Sequence, residues 1–320
     1  MQNANEVRIF ALLCGLIALN KYLMGFLTKS ARLLSDAFKE LKRNDPLSLA
    51  GATAFFTTFA LPPILIILLQ LFGSVFPIEN LSDRFFIRLS EVLGRESTDQ
   101  LRQTFRGFKA QASNWFITIG GLIFLMFVAT TLFKVIKDSL NQLWDIKLST
   151  GRGIKLKLQQ RLVSMIIIIL AGVLFITGMV GEGIQALLGK YLNDLSPGTA
   201  STLNNFINLL ISILIVTTWF VILFKMLPDG KPSWKVAIVG GFFTGLLFTL
   251  GKFIIRSMLG LGNIHSVFGA STSIVILLLF VFYSSFILYF GACFTKVYAQ
   301  SVNAPIEPAA YAFKYELVEK

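Results

Sequence analysis

The chain has 320 residues, with 29 Lys and Arg against 17 Asp and Glu for a net charge of +12, and it is 55% hydrophobic but only 14% charged. A soluble domain carries about a quarter charged residues, and apolar runs of about twenty residues suffice to cross the ~30 Å of a bilayer's hydrocarbon core. An ordinary soluble domain is therefore excluded. The composition describes a polytopic membrane protein of the all-α class, because a lipid-exposed strand would leave its backbone groups unpaired.

In chain order, the first apolar stretch, 9–27, carries Asn20 and Lys21 in its middle. It reads as an interfacial helix rather than a seventh crossing, and no small-residue cleavage site follows Arg8 cleanly. In 30–44, Leu34, Phe38 and Leu41 share one helical face while Lys39, Lys42 and Arg43 supply the other, the pattern of a helix lying on the membrane. Six transmembrane helices are expected: Leu49–Gly73, Trp115–Lys137, Leu162–Leu188, Phe206–Met226, Lys235–Leu259 and Ser271–Tyr298. Asp45-Pro46 suits the start of the first, and the helix-breaking pair Pro62-Pro63 is expected to interrupt and kink it halfway. Within the loop 74–114, residues 81–108 set Phe85, Phe86, Leu89, Leu101 and Phe105 among alternating charges, a second amphipathic stretch. The domain reading is thus 1–44 interfacial, 45–299 six-helix transmembrane with a helical outer loop at 74–114, and 300–320 a cytoplasmic tail, with no internal repeat.

Basic residues concentrate before the first span, between spans two and three (Lys134, Lys137, Lys147, Arg152, Lys155, Lys157, Arg161), and between spans four and five (Lys225, Lys231, Lys235). Loop 74–114 offsets its cations with Glu79, Asp83, Glu91, Glu96 and Asp99. The positive-inside rule then puts both termini in the cytoplasm, and the net positive charge faces anionic lipid there. No basic face interleaved with stacking aromatics supports nucleic acid as a partner. Cys14 and Cys293 lie in separate apolar segments and read as buried free thiols.

Four stretches share a resemblance: "DPLSLAGATAFFTTFALPP" (45–63), "SLNQLW" (139–144), "LPDGKPSWKVAIVGGFFTGLLFTLGKF" (227–253) and "VFGASTSIVILLLFVFYSSFILYFGACFT" (267–295). In order and spacing they resemble the YihY/BrkB family of bacterial inner-membrane proteins, from about residue 30 to 299. The resemblance implies six spans with both ends cytoplasmic and supplies no settled activity. Two positions depart from the family pattern: Phe268 stands where it usually has Tyr, and Cys293 where it usually has Glu.

Chemistry-bearing motifs are scarce. "GLLFTLGK" has five residues between its glycines and Phe253 after the lysine, so it fails as a phosphate-cradling loop. One His and two distant Cys give no metal site, and no metal or cofactor is expected. What stands out is a pair of cations, Lys252 and Arg256, inside the fifth span. On a helical wheel they share an arc of roughly 80° with Gly241, Gly245 and Thr249, and Gly251 adjoins them. Glycines at such spacing admit a neighbouring helix, so the cations are expected to face protein. Snorkelling to the outer headgroups is the alternative, and suits Arg256 better than Lys252, which sits ~8 Å inside the hydrocarbon edge at about 1.5 Å per residue. Glu182, about as far along the third span, is the expected partner of Arg256, which would leave Lys252 less compensated.

The functional expectation is a non-enzymatic membrane protein that transports or handles an anionic amphiphile, a phospholipid or lipid A-type molecule. Lys252, Arg256 and Glu182 would form the ligand site, with local flexibility at Pro62-Pro63. The alternatives are a scaffold binding cytoplasmic partners through "GRGIKLKLQQR" (151–161) and, with only scattered Ser and Thr to line a path, a small-solute channel. Substrate, direction of movement and oligomeric state are not legible.

Overall fold

The computed structural model describes residues 28–75, 81–93, 95–110, 115–149, 161–174, 177, 197–261 and 271–315. Its helices are α1 (28–43), α2 (Pro46–Val75), α3 (Leu81–Leu93), α4 (Arg95–Ala110), α5 (Trp115–Leu143), α6 (Arg161–Leu174), α7 (Pro197–Met226), α8 (Trp234–Leu261) and α9 (Thr272–Ser301). Four short strands join them: β1 (Ile146–Leu148), β2 (Gly230–Lys231), β3 (Glu307–Pro308) and β4 (Ala312–Lys314).

Among the described residues three helices are long and apolar enough to cross a membrane: Leu209–Met226, Trp234–Ile255 and Ile274–Ser301. Large apolar side chains stand exposed along them, among them Leu214, Phe242, Phe253 and Leu278. A water-soluble surface does not carry contiguous apolar area on this scale. α2 and α5 are 30 and 29 residues long, and they too expose Phe55, Phe59, Ile123 and Phe127. The segment 9–27 and most of 175–196 lie outside the described residues.

The long helices pack as a row: α5 on α2, α2 on α9, α9 on α8, α8 on α7. Glycine sets the closest approaches. A β-carbon on Gly241 would fall 2.9 Å from the backbone nitrogen of Val221, and one on Gly245 3.2 Å from that of Thr217, so both glycines seat α8 against α7. Gly240 lies under Thr295, and Gly291 under Thr244, a reciprocal notch between α8 and α9. Gly251 receives the hydroxyl of Tyr283. Tyr289 in turn makes hydrogen-bonding contact with Thr53 and Ser139, tying α2, α5 and α9 together.

Three expectations are corrected. α2 is helical from Pro46 to Val75, with no interruption at Pro62-Pro63. The pair withdraws two N–H donors from the carbonyls of Thr58 and Phe59, but the fixed φ of proline is itself helical, so the turn persists without its bonds. α5 continues six residues beyond Lys137, which is a buried helix residue rather than a loop cation. The C-terminal segment, where no strand was expected, carries two. β4 pairs antiparallel with β1, and β3 with β2, so residues 302–315 form a strap across the loops that follow α5 and α7.

The core has two parts. The larger gathers Leu41, Leu140, Leu143, Trp144, Phe224, Leu227, Tyr289 and Ala292 beneath the strap. The smaller joins Phe85, Phe86 and Leu101 of the α3–α4 hairpin to Leu65, Ile255, Leu277 and Phe280.

Candidate functional site

The pole under the strap holds two ionic clusters, the first buried and the second partly exposed at Arg43, built from the ends of five elements. In the first, Asp229 follows the C-terminus of α7 and its residue is 1% exposed. Its Oδ1 accepts Lys137 Nζ at 2.7 Å and the Tyr311 hydroxyl at 3.0 Å. Its Oδ2 accepts Asn141 Nδ2 at 2.8 Å, and Asn141 Oδ1 accepts the Asp229 backbone N–H at 2.8 Å. Its carbonyl accepts the N–H of Ala309 in the strap. Lys137 and Asn141 are one helical turn apart on α5, which puts both on the face toward Asp229. Every part of this residue that could be left unpaired in a dry site is paired.

In the second cluster Lys296, near the end of α9, donates to Glu40 Oε1 at 2.6 Å, to Asp145 Oδ2 at 2.5 Å and to the Leu143 carbonyl at 3.0 Å. Arg43 donates to Glu40 at 2.8 Å and to Asp145 at 3.3 Å. Two cations meet two carboxylates, and the three ammonium protons of Lys296 are all used. Asp145 has a second task. It stands just past α5 with φ 55°, the left-handed turn that ends a helix and that glycine usually occupies. An aspartate there costs strain but brings a carboxylate to Lys296. Beside it, Trp144 donates its indole N–H to the Ala292 carbonyl at 3.0 Å, fastening α5 to α9. The strap closes this cluster as well, through Tyr315 N–H to Asp145 O.

Lys231, on β2, completes the pole. Its residue is exposed overall, yet its ammonium donates to the Pro228 carbonyl and feels the buried Asp229. Burial pushes its pKa below the usual lysine value, attraction to Asp229 pulls the other way, and repulsion from Lys137 and Lys225 adds to the lowering.

The residues singled out from the sequence lie elsewhere. Lys252 is on α8, half-buried, and has an interaction with a neighbour of its own. Leu250, Phe253 and Ile254 around it are exposed. Arg256 is in the same helix, with its side chain outside the described set, and Glu182 lies outside the described residues, so their pairing stays an expectation. The basic stretch 151–161 is described only at Arg161. Among the described residues no group of three or more His, Cys, Asp or Glu could hold a metal ion.

Sequence reading missed the clusters. Glu40–Arg43 apart, their side-chain partners are 82 to 256 residues apart, and no periodicity links such positions. One signal was present: "SLNQLW" and "LPDGKPSW" contain Asn141, Trp144 and Asp229, the contacts that hold the pole together.

The family described as Virulence factor BrkB matches residues 37–312, a span that includes both clusters and all of the strap up to Ala312. Among curated relatives, a UPF0761 membrane protein of Acinetobacter baylyi is 26% identical over 245 residues, covering 76% of this chain and 56% of that protein. One from Pseudoalteromonas translucida is 24% identical over 246 residues, 76% of this chain and 78% of that protein. One from Albidiferax ferrireducens is 25% identical over 303 residues, 91% of this chain and 67% of that protein. The chain thus spans little more than half the length of the Acinetobacter relative. No solved structure matches it.

Proposed function

The chain belongs to the BrkB family of membrane proteins, and from that premise we propose that it is a non-enzymatic protein of a bacterial inner membrane that transports or handles an anionic amphiphile. In this reading six helices cross the bilayer, both termini are cytoplasmic, and the ligand is a phospholipid or lipid A-type molecule. The observation that carries it is Lys252. A cation stands half-buried in a helix whose neighbouring Phe253 is 71% exposed, about 27 Å from Trp234 at 1.5 Å per residue. An ionisable residue at membrane depth costs at least ~2.5–3.5 kcal/mol, and such residues mark substrate paths. Lys252, with Arg256, would hold the negative headgroup, and Glu182 would balance Arg256.

The ion clusters give this reading a mechanical frame. They fix α1, α5, α9 and the end of α7 to one another at the basic pole, and the Thr53–Tyr289 contact adds α2, so in this reading rearrangement to admit a ligand is confined to the far end, where Lys252 stands. α2 supplies compliance there, because Pro62-Pro63 removes two of its helical bonds without ending it.

The test uses proteoliposomes with fluorescent phosphatidylglycerol, whose movement between leaflets is read by chemical quenching of the outer one. The full chain should accelerate exchange and Lys252→Met should reduce it at least tenfold; no acceleration by the wild type refutes the reading. A scaffold role is the second reading, favoured by the exposed Lys147 and Lys314 on the β1–β4 ribbon. It predicts that Lys252→Met is silent.

A further inference from the structure

The corner between α7 and α8 carries more positive charge than its own carboxylates neutralise. Lys137, Lys225, Lys231 and Lys235 gather there, and Asp229 is already closed by Lys137. Glu307 stands opposite Lys231 across the β2–β3 ladder, which still leaves two positive charges in excess. Two of the lysines are positioned by main-chain carbonyls. Lys225 Nζ donates to Pro232 O at 2.6 Å and lies 5.2 Å over the Trp234 ring, and Lys231 Nζ donates to Pro228 O at 3.0 Å. Each keeps further N–H donors for a ligand. The mutual repulsion that helps lower the Lys231 pKa is what a bound anion would relieve.

The surroundings favour lipid over a free anion. Trp234 is 63% exposed at the first residue of α8, a helix apolar and long enough to cross the membrane. An exposed indole at the foot of a span belongs at headgroup level, where its amphipathic ring is at home. We propose that the α7–α8 corner docks the phosphate of an anionic lipid headgroup between Lys231 and Lys235, with Trp234 seated at the headgroup level. This dock is separate from Lys252 and does not depend on the transport reading. Each lysine near an anionic membrane surface strengthens its attraction to that surface about fivefold.

The test places the full chain in nanodiscs of phosphatidylcholine containing a minor fraction of brominated phosphatidylglycerol or, in parallel, brominated phosphatidylcholine. Quenching of Trp234 is isolated by subtracting the Trp234→Phe variant. Brominated phosphatidylglycerol should quench Trp234 several times more than brominated phosphatidylcholine. That excess should vanish in Lys231→Gln/Lys235→Gln and persist in Lys39→Gln/Lys42→Gln, which removes two exposed cations from α1 at the same pole. If the double variant loses its helical circular dichroism, Lys235→Gln alone, at an exposed site, should halve the excess or better. Equal quenching by the two lipids overturns the proposal, as does an excess that survives loss of Lys231 and Lys235. Inorganic phosphate that abolishes the excess at low concentration would show a site for free anions instead, and overturn it equally.

Discussion

Lys137→Met removes the ammonium from a carboxylate that is almost wholly buried. Asp229 would keep its hydrogen bonds from Asn141 and Tyr311 but lose its countercharge at 2.7 Å. Removing one partner of a buried ion pair costs about 3–5 kcal/mol, because the remaining charge stays desolvated. A cost of 3 kcal/mol lowers the folding equilibrium constant about a hundredfold, at 1.4 kcal/mol per decade. The assay is reversible unfolding in mixed detergent and SDS micelles, followed by circular dichroism. Neutralising the orphaned carboxylate should recover much of the loss, so Lys137→Met/Asp229→Asn should be more stable than Lys137→Met alone. The coupling energy should exceed about 1.5 kcal/mol, well beyond the ~0.5 kcal/mol within which independent sites add. A Lys137→Met stability within ~0.5 kcal/mol of wild type, or a double variant equal to the sum of the singles, would refute the buried ion pair.

Four further outcomes follow from the same structure. Gly291→Ala should destabilise by about 1–3 kcal/mol in the same titration, because its β-carbon would fall 1.9 Å from Thr244 Oγ1. Gly51→Ala, with nothing within 4 Å of the added carbon, should instead gain about 0.5–1 kcal/mol of helix propensity. Tyr311→Phe deletes the hydroxyl that reaches Asp229 and should cost about 1.5–3 kcal/mol, the worth of a hydrogen bond to a charged group. It should also raise hydrogen exchange in residues 304–312. Lys231 yields a pH signature: with its folded pKa below 10.5, the unfolded chain holds the proton more tightly. Stability conferred through this group therefore rises with pH between the folded value and 10.5, and this increment should be absent in Lys231→Gln.

Much of the fold was legible because membrane helices write themselves as local patterns. Leu162–Leu188 apart, whose far half is outside the described residues, each expected span overlaps a helix, and α2 begins at Pro46 as the proline's fixed φ suggested. The amphipathic stretch 81–108 is the α3–α4 hairpin, its Phe85, Phe86 and Leu101 turned into the core. The pole was not legible. Lys137 looked like one more cation of a basic loop, and only tertiary contact with a residue 92 positions away makes it a buried ion pair. Strands of two or three residues carry no periodicity, so the strap read as a tail. Pro62-Pro63 misled for a different reason: local chemistry predicts lost bonds, but whether a helix ends there is decided by its neighbours.

If Lys252 serves an anionic ligand, its face of α8 looks onto a site that water and an anionic headgroup reach, while the adjacent Phe253 looks onto lipid. Spin labels placed separately by Lys252→Cys and Phe253→Cys, with Cys14 and Cys293 replaced, test it in lipid bilayers by collision with a water-soluble nickel complex and with oxygen. The label at 252 should collide more with nickel and the label at 253 more with oxygen. Two labels that both prefer oxygen would put Lys252 in the acyl chains and contradict the account.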